Sequence, residues 1–571
     1  MKETIERRKN REYDPIKFID EIAAVSRVDG KMPDPEKAIG RECYAFSEQE
    51  DAAFEVAEKT AQQILHDLKK GEDYRVERDG VGNLYVRMLC GVPGAQAVMT
   101  GSHLDSVLEG GKYDGVAGVA VGLDILAGLV REKKQGGKFA RDFVVAAFRS
   151  EESSPRNGMA CVGSSIATGT MKDEDFKKLM YDKSKKISFR DHFIQRYKAE
   201  KYGQLVHEMH NPRIRKEDFA AYIEVHIEQS GVTAARGKDI GIVTEGIGGA
   251  HREEAKMALP PERVETERQA YRKITLTCLG IPDHTGGTPP NTAFYREKPE
   301  DVWYRKDALV AMCNVINKLL GHPSNGSAIK VLGSRPEKAT GYTTVPSHQV
   351  TELLVPSSEM ESVRKKLETL KKETEETLGV QMSYADEEFT KSSAEVVDSA
   401  IVRRMMNLPE IVSILATKEF GRQRSETGTT RATATDYVLS PNGVEYKVDF
   451  REVNIEDLKR LLEAVHARED MTLGKGTYTK VSSKPHSPVD EKMVKKLIEY
   501  AKERKMSFVL MPSMAGQDAD RMAAIGIPTV MVFIRQDDGI SHNPREKMTA
   551  PHFYNATPVV RDFVLDMLRE G

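Results

Sequence analysis

A chain of 571 residues and 63.8 kDa exceeds what one hydrophobic core usually accommodates, so two or three domains are expected. Its 85 basic residues against 88 acidic ones leave a formal charge of −3, which provides no field to gather nucleic acid or an anionic membrane. The five cysteines (Cys43, Cys90, Cys161, Cys278, Cys313) are scattered with no Cys-x-x-Cys pair, which argues against a disulfide framework or a thiolate metal site and for reduced cytoplasmic thiols.

The charged start, Met1 to Lys9, precedes no apolar core, and no run of about 18 apolar residues occurs, so neither a secretory leader nor a membrane span is expected. Residues 14–70 read as helices, with an amphipathic period over Phe54–Leu68. Tyr74–Arg78 and Gly82–Arg87 read as paired strands around Asp79-Gly80. From Ala97 to about Ile242 strands alternate with helical segments, the pattern of an α/β sheet with ligands at its strand ends.

Within that region the chemistry concentrates. Ala97-Val-Met-Thr100 ends a buried strand, from which His103 and Asp105 emerge on the same side. One can ligate a metal while the other accepts the second ring N–H. Asp114 stands in a turn rich in glycine (Gly110, Gly111, Gly115, Gly118) before a helix over Val116–Val130. A second apolar strand, Arg141–Phe148, ends at Glu151-Glu152, where one carboxylate can bind metal and its neighbour move protons. The charged stretch Met171–Phe219 reads as a solvated helical cover. In Tyr222–Gln229, Tyr222, Glu224, His226 and Glu228 share one strand face, so His226 faces a polar site.

After a break at Gly246–Gly249, the charged stretch His251–Gln269 with Pro260-Pro261 reads as an exposed insertion, giving a linker over 246–272. A smaller α+β domain follows over 273–390: strand Ile274–Leu279, helix Asp307–Leu320, strands Ala328–Leu332 and Gln349–Val355, helix Met360–Leu378, strand Val380–Tyr384. Over 391–484 a similar order recurs: helix Ala394–Met406, strands Ile411–Ala416, Thr430–Leu439 and Val444–Phe450, helix Ile455–Arg468, strand Thr477–Ser482. This predicts a partial duplication or a large insertion. From 485 the chain returns to the first domain with helix Val489–Arg504, strand Ser507–Met511, helix Asp518–Ile525 and strand Thr529–Ile534, and the loop beyond supplies His542. The first domain is thus expected to comprise 1–245 and 485–571.

Six separated pieces occur in one order: Gly101-Ser-His-Leu-Asp105, Gly110-Gly-Lys-Tyr-Asp-Gly115, Glu151-Glu152, His226-Ile-Glu-Gln229, His284-Thr-Gly-Gly-Thr-Pro289 and Asp538-Gly-Ile-Ser-His-Asn-Pro544. Together they resemble the metal-dependent amidohydrolases of the M20 peptidase clan, in the branch of N-carbamoyl-L-amino-acid hydrolases, ureidopropionases and allantoate amidohydrolases. The resemblance implies a central mixed sheet flanked by helices, with an inserted α+β lid and dimerisation domain that is here enlarged. It also implies two divalent ions, one held by His103 and His226, the other by Glu152 and His542, with Asp114 bridging and Glu151 as the proton carrier. Zn²⁺, Mn²⁺, Co²⁺ and Ni²⁺ all suit such ligands.

By the same resemblance, Asp105 orients His103, His284 of the lid stabilises the oxyanion, and Gln229 and Gly539 contact a small-molecule substrate. Arg451, in Val448-Asp-Phe-Arg451, resembles the arginine that clamps a substrate carboxylate. Gln517, in Ala515-Gly-Gln-Asp-Ala519, stands where the family has a histidine, and Val438 or Thr344 where it has a substrate-binding asparagine. Both departures bear on substrate identity, because glutamine hydrogen-bonds but carries no proton. The implied reaction is hydrolysis of a C–N bond in a small carboxylated ureido or amide compound, and a homodimer through the lid is implied with it. The rivals are an aminopeptidase, dipeptidase or aminoacylase of the same clan, and a non-catalytic binding protein that kept the fold.

Overall fold

The computed structural model describes residues 13–37, 39–152, 160–182, 186–283, 285, 306–321, 328–337, 344–398, 401–402, 406–407, 409, 431–451, 459–460, 462–464, 466–467, 477–513, 515–537 and 539–570. They fall into two compact units, the first within Met1–Gly249 and His486–Gly571, the second between Ala250 and Pro485. His284 lies outside the described residues, as does the expected strand Ile411–Ala416.

The first unit is built on a mixed sheet in the order Tyr74–Arg78, Leu84–Met88, Asp142–Phe148, Ala97–His103, Phe219–Ile227, Thr529–Ile534 and the first part of Ile240–Ala258, which also pairs with Phe508–Ser513. Its central four strands run parallel. Ala97–His103 and Asp142–Phe148 are buried along their whole length, the expected state for parallel strands covered on both faces. Helices Val116–Lys134 and Ala550–Arg569 pack on the sheet and on each other. The register sets His103 beside Phe148 and His226 beside Phe533, so the strand ends that carry the two histidines gather at one edge. Helix Phe189–His210 of the charged cover buries Phe189, Phe193, Leu205 and Met209 in a satellite core.

The second unit is an antiparallel sheet in the order Ile240–Ala258 (its second part), Gly443–Arg451, Arg431–Ser440, Lys330–Arg335, His348–Pro356, Tyr271–Leu279, Gln381–Glu388. Helices Ala308–Leu320 and Met360–Leu378 pack on it over one hydrophobic core. The expected helix Ala394–Met406 instead begins with a strand, Ser393–Val396, paired with Glu262–Glu265.

Of the stretch His251–Gln269, expected to be an exposed insertion, residues 251–258 are instead part of the sheet, while Pro260, Pro261, Arg263, Glu265, Glu267, Arg268 and Gln269 are exposed. Residues 250–258 pair continuously with Gly443–Arg451, and His251, Arg252 and Glu253 are buried. Their charges are met from far along the chain: Arg252 Nε donates to Asp449 Oδ1 at 3.2 Å, and Glu253 lies 2.8 Å from His251 Nε2 and 2.6 Å from His466 Nε2. Deleting His251–Gln269 is therefore expected to abolish soluble expression of the chain, because it removes a paired strand from the sheet and takes Arg252 from the buried Asp449. A deletion variant with wild-type yield and protease resistance would contradict this.

Candidate metal centre

His103 ends its strand, and its ring is fixed from behind. Nδ1 lies 3.3 Å from both the Asp105 carboxylate and the Asp105 carbonyl oxygen, which turns Nε2 inward. The Asp105 carboxylate also accepts the backbone N–H groups of Glu151 and Glu152, each at 3.0 Å. One side chain thus positions a ring and the peptide that carries both glutamates. Upstream, Ser150 takes a left-handed backbone, φ 54°, and its N–H donates to Glu50 Oε1 at 2.9 Å.

Asp114 is at the centre. His226 Nδ1 lies 3.0 Å from the Ile227 carbonyl, leaving its Nε2 3.1 Å from Asp114 Oδ1. His542, on a left-handed backbone with φ 55°, sets Nε2 3.5 Å from Asp114 Oδ2 and 3.3 Å from Glu152 Oε1. His103 Nε2 is 3.9 Å from Asp114 Oδ1 and 3.8 Å from Glu151 Oε2. Among the described residues, three groups could hold a metal ion: His103, Asp114 and His226; Asp114, Glu152 and His542; His103, Glu151 and Glu152. Asp114 belongs to two of them. Gly115 must be glycine, with φ 69° and an added Cβ only 2.5 Å from the His103 ring.

Electrostatics agree with a site built around cations. Burial disfavours charge on His103, yet Glu151, Asp105 and Asp114 raise its pKa well above the ordinary value. His542 rises to about 9 in spite of burial, under the pull of Glu152 and Asp114. Burial would lift Asp114, but His226, His542 and His103 hold it far below the usual carboxylate range. Glu151 is pushed up to about 8 by burial, with Glu152 and Asp105 adding to the effect and His103 opposing it.

The residues fit divalent metal. Asp114 Oδ1 and His226 Nε2 are buried and face each other without hydrogen-bonding alignment, an arrangement that costs free energy unless a third group sits with them. A set of imidazole nitrogens and carboxylate oxygens without thiolate is the chemistry such ions take.

The substrate-side residues are placed as follows. Gln229 Nε2 donates to Asp114 Oδ2 at 3.2 Å and to Ser541 Oγ at 3.0 Å, and Gln517 Nε2 donates to Gln229 Oε1 at 3.4 Å. Both glutamines are thereby tied to the Asp114 cluster. Gly539, with φ 70°, stacks its backbone on Gly231, whose Cα an added Cβ would meet at 2.1 Å. Arg451 is in the second unit, buried, with Nε donating to Asp449 Oδ2 at 2.7 Å.

Four contributors escaped the sequence reading. Buried Glu546 accepts the N–H groups of Tyr113 (2.7 Å) and Asp114 (3.1 Å), fixing the turn that presents Asp114. Ser541 Oγ donates to Asp114 Oδ2 at 3.3 Å. Ser102 Oγ donates to Glu224 Oε1 at 2.9 Å, tying the two ligand strands together, and Cys161 Sγ lies 3.3 Å from Glu151 Oε1. Glu546 and Ser541 flank His542, and that proximity was the available signal.

A buried cluster of imidazoles and carboxylates, of a kind that could hold metal, thus stands at the carboxyl edge of the parallel strands of the first unit. The model of peptidase family M20/M25/M40 matches residues 99–566. The chain belongs to that family. The ureidoglycolate hydrolase of Oryza sativa subsp. japonica is 36% identical over 171 residues, 30% of this chain and 33% of that protein, so the similarity spans about a third of its length. Allantoate amidohydrolase of Escherichia coli K12 is 22% identical over 475 residues, 82% of this chain and 80% of that protein. Among solved structures, a hydantoinase/carbamoylase-family amidase from Burkholderia vietnamiensis shares the fold with TM-score 0.56 at 20% identity, over 98% of both chains. Among the described residues no helix is long and apolar enough to cross a membrane.

Proposed function

We propose that the protein is a metal-dependent amidohydrolase that cleaves the carbamoyl, ureido or amide C–N bond of a small carboxylate-bearing compound, such as an N-carbamoyl amino acid or allantoate. The observation that carries this reading is Asp114 shared between two ligand groups with Glu151 beside them. His103, His226 and Asp114 would hold one divalent ion, and Asp114, Glu152 and His542 a second. When bound, such ions polarise a carbonyl and make water acidic enough to attack at neutral pH.

The remaining steps belong to the chain. Glu151, left out of both of those ligand groups, takes the proton of the attacking water and delivers it to the departing nitrogen, a poor leaving group until protonated. Asp105 keeps Glu151 aimed through its backbone N–H. His284 would stabilise the oxyanion, and Arg451 the substrate carboxylate. Gln229, Gln517 and Gly539 would shape the pocket beside Asp114. Zn²⁺, Mn²⁺, Co²⁺ and Ni²⁺ are all compatible with these donors. A cytoplasmic location fits cysteines of which none forms a disulfide.

The test is ammonia and amino-acid release from N-carbamoyl amino acids, allantoate, ureidoglycolate, N-acyl amino acids and dipeptides, using protein stripped by chelator and reloaded with each metal. Metal-dependent ammonia from a ureido compound is expected. Amino acid without ammonia would move the enzyme to the peptidase or acylase side.

A further inference from the structure

The second unit contains one strand pattern twice. In the first occurrence the chain order is Tyr271–Leu279, helix Ala308–Leu320, Lys330–Arg335, His348–Pro356, helix Met360–Leu378, Gln381–Glu388. Its sheet order is second strand, third, first, fourth. The other occurrence starts with residues 250–258, continues after the whole of the first with helical residues at 401–402 and 406–407, then Arg431–Ser440, Gly443–Arg451, helical residues between 459 and 467, and Thr477–Ser487. Its sheet order is again second, third, first, fourth. Even the register repeats: the last residue of the first strand pairs with the first of the third, Leu279 with His348 and Ala258 with Gly443.

The two second strands meet edge to edge and antiparallel, Ser334 opposite Leu439, so the eight strands read the same from either end. The corresponding helical segments also meet. Asn317 Nδ2 donates to Asn407 Oδ1 at 2.7 Å, and Cys313 Sγ lies 3.8 Å from the Met406 sulfur. Gln349 of one pattern donates to Ser334 Oγ at 2.9 Å and across to the Tyr437 carbonyl at 3.2 Å, and a single hydrophobic core takes Leu309, Val331 and Leu353 with Tyr437, Leu439 and Tyr446.

We infer that the second unit is an intramolecular dimer: one β-α-β-β-α-β module inserted after the first strand of another, the two related by a local two-fold axis, with the outer module taking the place of a second chain. An antiparallel pairing of like edges is what two identical chains use to close a sheet, since the same strand serves both partners. Here it also covers an edge that would otherwise invite association. The chain is accordingly self-sufficient at this edge, in place of the homodimer through the lid that the family resemblance suggested.

The modules have diverged in what they carry. By the shared register, Arg252, Asp449 and Arg451 of the outer module correspond to Lys273, Leu354 and Pro356 of the inner one. Among the described residues the polar cluster occurs once, and both modules build it. Thr285, just after the inner module's first strand, donates to Asp449 Oδ2 at 2.6 Å, while Asp449 also holds Arg252 and Arg451. One chain thus assembles from two modules a group of side chains that neither module has alone.

Two measurements on the full chain test this. Sedimentation equilibrium from submicromolar to high micromolar concentration should give 63.8 kDa throughout, and a species of twice that mass would overturn the inference. Second, Asn317→Cys with Asn407→Cys, in a Cys90→Ser background, is treated with a short bismaleimide after mixing ¹⁴N and ¹⁵N protein. Joined peptides carrying a single isotope are expected, because both sites lie in one chain. Mixed-isotope peptides, or folded protein that does not cross-link, would overturn it. Asn407 is exposed and Asn317 half-buried, and both lie outside the metal centre, so the variant reads the pairing and not the chemistry.

Discussion

Glu151→Gln is expected to keep whatever metal the protein binds and to lose about 10²- to 10⁴-fold in turnover, the contribution of a positioned acid and base. Glutamine has the same shape, and the Asp105 carboxylate still grips the residue 151 N–H, so geometry changes little. What changes is capacity, since an amide hydrogen-bonds but cannot shuttle a proton. The loss corresponds to about 3 to 5 kcal/mol of transition-state stabilisation. The alternative is specific. Glu151 also belongs to a ligand group with His103 and Glu152. If the variant loses an ion by elemental analysis, that group holds metal and Glu151 is a ligand. Unchanged activity would remove Glu151 from the mechanism.

Asp114→Ala should empty both positions at once. Its two oxygens face different partners, Oδ1 toward His226 and Oδ2 toward His542, so no other single side chain among the described residues bridges the two groups. Because bound ions supply several kcal/mol of charge stabilisation, activity should fall on the order of 10³-fold or more. His226→Ala provides the control, since it touches one group only and should leave the ion of Glu152 and His542. Retention of two ions per chain by Asp114→Ala would show the ligand set to be wrong, whatever the activity did.

The legible part of this protein is the part written in neighbouring residues. Alternation over Tyr222–Gln229 put His226 on the face with Glu224 and Glu228, and the strand Phe219–Ile227 carries the first two of these. The three then part company: Glu224 accepts from Ser102 and from the Ala519 N–H, Glu228 accepts the N–H groups of Ser230 and Thr233, and His226 alone meets Asp114. Shared direction says nothing of which element arrives opposite. The misread stretch His251–Gln269 has the same cause. Its charges suggested solvent, yet the partners of Arg252 and Glu253 lie 197 and 213 residues away.

By itself, then, the sequence determined the residue types, the strands and turns that carry them, and their order along the chain, because period and turn chemistry act over a few residues. Tertiary structure alone decided that all three rings present Nε2, that Asp114 is shared, that Glu546 holds its turn, and that two modules close one sheet. Those outcomes depend on register between strands far apart in the chain, and register is settled only when the faces bury one another.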